Sequence, residues 1–96
     1  MFRLFGYTNS YLYLESIVLS PNKPPMARLE LEVQHKTQPI KRETHKLGVG
    51  DNLFFVSNEM EQYKDGYTIA QIDPIAATVT FLNGDVIHKG DVVGDV

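Results

Sequence analysis

The chain has 96 residues, of which 43% are hydrophobic, 22% charged and 10% aromatic, and its formal net charge is −3 at pH 7. This composition excludes collagen-like, membrane-spanning and disordered classes, and the length predicts a single domain over residues 1–96. The sequence contains no cysteine, which excludes disulfides, thiolate metal sites and cysteine nucleophiles.

The N-terminal part of the chain is rich in aromatic and β-branched residues. Residues 2–7 and 11–19 predict two strands for this reason, and the polar residues 8–10 between them predict a turn. A helix over residues 11–19 stays an alternative, because their apolar positions fit either period. Residues 20–25 contain three prolines and predict a stiff, exposed loop.

The clearest strand signal is the strict alternation of apolar and polar residues over residues 28–34. Leu29, Leu31 and Val33 point to one face, whereas Glu30 and Glu32 share the other, which we expect to be solvated. Further along the chain, residues 48–51 predict a turn and residues 53–56 another strand.

Residues 58–63 predict one short helical turn, because Asn58 can cap it and Glu61 lies at the capping-box position. The next strand, residues 67–72, ends at Asp73-Pro74, where proline denies a backbone donor.

Residues 78–88 predict a β-hairpin. Asn83-Gly84 between two β-favouring runs is typical of a two-residue type I′ turn, in which both central residues have positive φ. In that register Phe81 lies opposite Val86, and both share a face with Val79.

Six to seven short strands separated by turns predict an all-β fold, either a small antiparallel barrel or a sandwich. Gly-Asp pairs at positions 50, 84, 90 and 94 predict turns between strands. The β-prone C-terminal residues 91–96 are expected to pair with the protein's own sheet edge or with that of a neighbour.

The charge is unevenly distributed along the chain. Residues 1–46 hold seven Lys or Arg against four Asp or Glu, a balance of +3, whereas residues 47–96 hold two against eight, a balance of −6. Copies of the chain could therefore contact each other through complementary charges, unless both halves interleave in the fold.

No set of residues in the sequence supports a catalytic function. No serine lies in a Gly-x-Ser-x-Gly motif, no glycine-rich phosphate loop is present, and Glu30 and Glu32 belong to the solvated face. The histidines lack metal-ligand spacing: His35, His45 and His88. We therefore predict a non-enzyme without a cofactor or a metal.

Nucleic-acid binding is the alternative function. Residues 36–46 predict a basic loop between two strands that could hold phosphates. Its basic residues are Lys36, Lys41, Arg42 and Lys46. The net negative charge of the chain and the absence of an RNA-recognition motif count against this alternative.

Protein binding is the favoured function. The N-terminal run holds more aromatic residues than a small core needs, and tyrosine is enriched at interfaces. Its candidate contacts are Tyr7, Tyr11 and Tyr13. The alternative is that these tyrosines line the core. We expect an assembly subunit, adaptor or inhibitor that binds a protein partner or itself. A small-molecule binder that uses the barrel mouth is a third hypothesis.

The chain is expected to be cytoplasmic, unless it is a domain of a longer protein. Its first residues lack the apolar segment of a signal peptide, and no apolar run is long enough to cross a bilayer.

Residues 47–90 contain, in order, Leu-Gly-Val-Gly-Asp, Tyr-Thr-Ile-Ala-Gln-Ile-Asp and Thr-Val-Thr-Phe-Leu-Asn-Gly. This layout resembles the small β-domain of secretion-pathway and type IV pilus assembly proteins. The resemblance implies a protein-docking β-domain. Those proteins also carry a membrane anchor, which is not evident in this sequence.

Overall fold

The computed structural model describes residues 9–34, 37, 39–53 and 67–94, with the backbone alone for residues 9, 10 and 33. These residues form seven strands and no helix. The strands are β1 (Asn9–Val18), β2 (Met26–Gln34), β3 (Lys41–Leu47), β4 (Ile69–Asp73), β5 (Thr78–Phe81), β6 (Val86–His88) and β7 (Val92–Gly94). The predicted all-β class and strand number are confirmed.

The strands form two antiparallel sheets, with the orders β3-β2-β1-β7 and β4-β5-β6. The sheets are not closed into a barrel, so the sandwich is the predicted alternative that fits. One hydrophobic core lies between them. Its buried residues are Leu12, Leu14, Ala27, Leu29, Leu31, Leu53, Ile69, Ile72, Val79, Phe81 and Ile87.

β1 is a strand rather than a helix, because its leucines alternate with period two. Leu12 and Leu14 are fully buried, and a bulge between Leu14 and Ser16 keeps Ile17 on the same face, opposite Ala27. The predicted turn is wrong for residues 9 and 10, which already pair with β2. Strand pairing overrides the local turn preference of these short polar residues.

The predicted basic loop at residues 36–46 is wrong for residues 41–46, which belong to strand β3. Lys41–Leu47 pairs with β2 along its whole length. The strand was missed because polar residues occupy both of its faces, with Glu43 and His45 opposite the buried Leu31 and Leu29. Charged residues of this kind are common on edge strands, where they discourage aggregation.

The hairpin between β5 and β6 forms, but its predicted two-residue turn is wrong. The amide of Phe81 donates to the carbonyl of Asp85, so three residues form the loop, and Gly84 has φ +94°. This register places Val79 opposite Ile87 and leaves Val86 exposed. A register shift of one residue moves every side chain of the strand to the opposite face, so the core contains Ile87 in place of the smaller Val86.

The turn at residues 48–51 is confirmed. Asp51 Oδ2 accepts a hydrogen bond from the Gly48 amide at 2.8 Å, and Gly50 has φ +92°. β4 ends at Asp73, as predicted, and the Asp73 carboxylate accepts hydrogen bonds from the amides of Ile75 and Ala76. Residues 20–25 form the predicted connection between β1 and β2.

The C-terminal strand pairs with the protein's own sheet. β7 lies beside β1, with Val92 opposite Tyr13 and Gly94 opposite Tyr11. The turn predicted at Gly94 is therefore wrong, since Gly94 is a strand residue. The predicted strand at residues 2–7 and the helical turn at residues 58–63 lie outside the described residues, as do residues 54–56 of the predicted strand 53–56. Leu53 is described and is not a strand residue.

Candidate binding face

The candidate binding face is the side of the four-stranded sheet that points away from the core, which we call the outer face. It follows directly from the alternation of β1. Leu12 and Leu14 point into the core, so Tyr11 and Tyr13 point outward, half-buried by their neighbours. Both predicted tyrosine contacts within the described residues therefore share one face.

Two cross-strand rows of side chains cross the outer face. In the first row, Tyr11 lies opposite Glu32, which lies opposite Arg42. In the second row, Tyr13 lies between Val92 and Glu30. Residues directly opposite each other in an antiparallel sheet are in side-chain contact range, so each tyrosine has a glutamate as its neighbour.

The two tyrosines line an open concavity of about 580 Å³, which we call the tyrosine groove. Its lining residues are Tyr11, Tyr13, Glu30, Glu32, Gln34, Ile40 and Val92. Ile40 is 56% exposed and Val92 is 64% exposed, although both are apolar. The groove thus combines aromatic and aliphatic surface with carboxylates.

Arg42 binds the two glutamates on the outer face. Its Nη2 donates to Glu32 Oε2 at 2.8 Å, and its Nε lies 3.1 Å from Glu30 Oε1. These contacts raise the pKa of Arg42, chiefly through the hydrogen bond to Glu32 and then through the negative charges of Glu32 and Glu30. The guanidinium therefore stays charged and bridges the two carboxylates.

The predicted basic residues do not share one surface. Arg42 and Lys46 lie on the outer face, opposite Glu32 and Arg28, whereas Lys41 lies on the other face of β3. Lys36 and the third predicted tyrosine, Tyr7, lie outside the described residues.

The sequence does not identify five of the seven residues that line the tyrosine groove, which are Glu30, Glu32, Gln34, Ile40 and Val92. Glu30 and Glu32 were placed on the solvated face, but no signal tied them to the tyrosines. Ile40 and Val92 reach the groove only because β3 follows β2 and β7 pairs with β1. Isolated apolar residues in exposed segments carry no distinguishing pattern in the sequence.

A second, smaller cavity of about 200 Å³ lies between the two sheets. Its lining includes Leu12, Val93 and an edge-to-face pair, Tyr67 and Phe81, whose ring centres are 5.7 Å apart. The described sheets do not close into a barrel, so the predicted barrel mouth has no counterpart among the described residues.

The two described histidines, His45 and His88, do not line the tyrosine groove, and His35 lies outside the described residues. His45 Nε2 lies 3.0 Å from Glu43 Oε1 on the core side of β3. His88 is the last residue of β6, and its Nδ1 lies 3.6 Å from Asp91 Oδ2. No three metal-binding side chains cluster anywhere in the described part of the chain.

Comparison with known protein families, curated proteins and solved structures found no match for this chain. The resemblance of residues 47–90 to secretion and pilus assembly proteins therefore stays a prediction. Within the ranges that the structure describes, no helix has the length and apolar character needed to cross a membrane.

Proposed function

We propose that the chain is a non-catalytic protein-binding β module that docks its partner on the tyrosine groove. The observation that carries this proposal is the position of Tyr11 and Tyr13 on the outer face, between the exposed apolar residues Ile40 and Val92. Tyrosine offers a large contact area at a small entropic cost and also a hydroxyl for hydrogen bonding.

The position of the groove on paired strands supports the same proposal. β1 has partners on both sides, β2 and β7, so both tyrosines are held by ladders of backbone hydrogen bonds. A preorganised surface loses little conformational entropy on binding, which favours affinity. An assembly subunit, an adaptor or an inhibitor would each use such a surface.

The nucleic-acid alternative has less support from the geometry. Lys41 is separated from Arg42 and Lys46 by the plane of the sheet, and Arg42 is occupied by two glutamates. A phosphate backbone needs several cations along one surface. We therefore keep protein binding as the proposal and place the module in the cytoplasm as part of it.

The proposal is tested by affinity enrichment from the source cells, followed by titration of the enriched protein in purified form. The bait variant carries Tyr11→Thr and Tyr13→Thr, because threonine preserves strand propensity while removing both rings. We expect the partner's affinity to fall by about tenfold or more, as is typical when interface tyrosines are truncated.

The matched control carries Ile75→Thr and Leu82→Thr, which remove two exposed apolar side chains outside the groove. This control should bind like the unmodified protein. Equal binding by all three proteins, each with an unchanged thermal transition, would show that the partner docks elsewhere and would overturn the proposal.

A further inference from the structure

The tyrosine groove carries a negative charge in addition to its aromatic and aliphatic lining. Glu30 and Glu32 are its charged lining residues, and Arg42 approaches them from the β3 side. One guanidinium balances one of the two carboxylates, so this cluster keeps a net charge of about −1 at neutral pH. The excess charge lies beside Tyr11 and Tyr13.

Each carboxylate also keeps one oxygen available. Arg42 contacts Oε1 of Glu30 and Oε2 of Glu32, and no described residue donates a hydrogen bond to their other oxygens. The two glutamate side chains are 33% and 26% exposed, respectively, so a ligand in the groove can reach them. Carboxylate oxygens of this kind accept charge-assisted hydrogen bonds from a second cation.

We propose that the tyrosine groove recognises an extended segment of a partner protein that carries a lysine or arginine next to an apolar residue. The cationic head binds Glu30 and Glu32, and its aliphatic stem packs on Tyr11 and Tyr13. A cation over a tyrosine ring gains further attraction from the electrons of the ring. This inference rests on the proposed function and names the chemistry of its partner.

The next row of the outer face limits how basic that partner can be. Arg28 and Lys46 lie directly opposite each other, one row beyond Glu30. These two cations repel a second positive charge that would fall on them. The favoured segment therefore carries one cation flanked by apolar or acidic residues, and a run of lysines is disfavoured.

Three synthetic peptides test this inference. Each is capped at both ends and has the sequence Thr-Leu-X-Leu-Thr, where X is arginine, citrulline or glutamate. Citrulline has the shape of arginine without its charge. We titrate each peptide into the isotope-labelled protein and follow the amide signals of Tyr11, Tyr13 and Val92 by nuclear magnetic resonance.

We expect the arginine peptide to shift these signals and to bind roughly five- to tenfold more tightly than the citrulline peptide. Glu30→Gln should reduce this preference to about twofold or less, because it removes one of the two carboxylates. Glu15→Gln removes the same charge from an exposed position of β1 outside the groove and should leave the preference unchanged.

The outcomes separate this inference from the proposed function. Equal binding of the arginine and citrulline peptides, or an equal effect of Glu15→Gln, would overturn the cation preference. Tighter binding of the glutamate peptide at Tyr11 and Tyr13 would also overturn it, while supporting the groove as a docking site. If no peptide shifts the groove signals, the inference fails, and the proposed function then depends on the enrichment experiment alone.

Discussion

Arg42 lies on an edge strand, and its guanidinium contacts two glutamates of the neighbouring strand. In the sequence, the same residue belongs to a basic cluster and suggests an anionic ligand. In the fold, its positive charge offsets the repulsion between Glu30 and Glu32, which share a face of β2. A basic residue in a sequence therefore has two interpretations, and its cross-strand neighbours in the fold decide between them.

Arg42→Ala should lower the midpoint of urea denaturation, because the substitution leaves two like charges adjacent on β2. The decrease should shrink as salt is added, since salt screens the repulsion between exposed carboxylates. Lys41→Ala removes the same charge from the other face of β3 and serves as the control. An equal decrease for both variants would show that the Arg42 contacts do not stabilise the sheet.

At the scale of the element, the hairpin of β5 and β6 shows how one residue of loop length decides what is buried. The three-residue loop places Ile87 in the core with 2% exposure and leaves Val86 48% exposed. The predicted two-residue loop would have exchanged these two positions. Asn83 Oδ1 accepts a hydrogen bond from the Asp85 amide, which stabilises the longer loop.

Two substitutions distinguish these registers. Ile87→Ala should reduce the free energy of unfolding by about 2–5 kcal/mol, because it leaves a cavity in the core. Val86→Ala should change it by less than about 0.5 kcal/mol, as is usual for exposed positions. Chemical denaturation measures both, and Ile87→Val, with an expected loss of about 1 kcal/mol, replaces the alanine variant if that variant does not fold. The opposite order of effects would support the two-residue turn.

β7 contributes to both the core and the groove, because its residues alternate in direction. Val93 packs against the hydrophobic core, whereas Val92 lines the tyrosine groove. This short strand therefore couples the stability of the sheet to the shape of the binding face.

Val93→Asp should destabilise the protein by more than about 2 kcal/mol, because it places a charge against the core. Val92→Thr should leave the thermal transition within about 2 °C of the original, since the side chain is already exposed and threonine keeps strand propensity. It should nevertheless weaken binding of the partner, because it removes an apolar wall of the groove. Loss of folding in both variants would contradict this division of roles.

On the scale of the whole molecule, the charge asymmetry of the sequence does not produce a basic sheet. β1, β2 and β3 carry Arg28, Lys41, Arg42 and Lys46 against Glu15, Glu30, Glu32 and Glu43, so four positive charges balance four negative ones. The positive balance of residues 1–46 is therefore not carried by these three strands.

A labelled single-stranded oligonucleotide should therefore not bind at physiological salt, and it should not increase the solution mass measured by light scattering. The physical reason is that fewer neutralised phosphates give a weaker and less salt-dependent association. Binding that falls steeply with salt, and that is lost in a variant with Lys41→Ala and Lys46→Ala, would favour the nucleic-acid alternative instead.

The strict alternation of residues 28–34 predicts β2, because one face of that strand meets the core and the other does not. Composition predicts β1, although its apolar positions also fit a helix. The same reasoning failed at β3. An edge strand needs few apolar residues, so His45 and Glu43 can face inward at the margin of the sheet without an alternating pattern. Pattern-based prediction is thus strongest for central strands and weakest at sheet edges.

The sequence predicts the all-β class and a strand over residues 11–19, for which a helix fits the apolar positions equally well. Strand pairing places Tyr11 and Tyr13 on one face and determines which residues lie beside them. Strand order brings Val92 from the C-terminal end of the chain and Glu30 from β2 to either side of Tyr13. Alternation along a strand is a local property, whereas strand order and register depend on pairing between distant segments, and the groove depends on both.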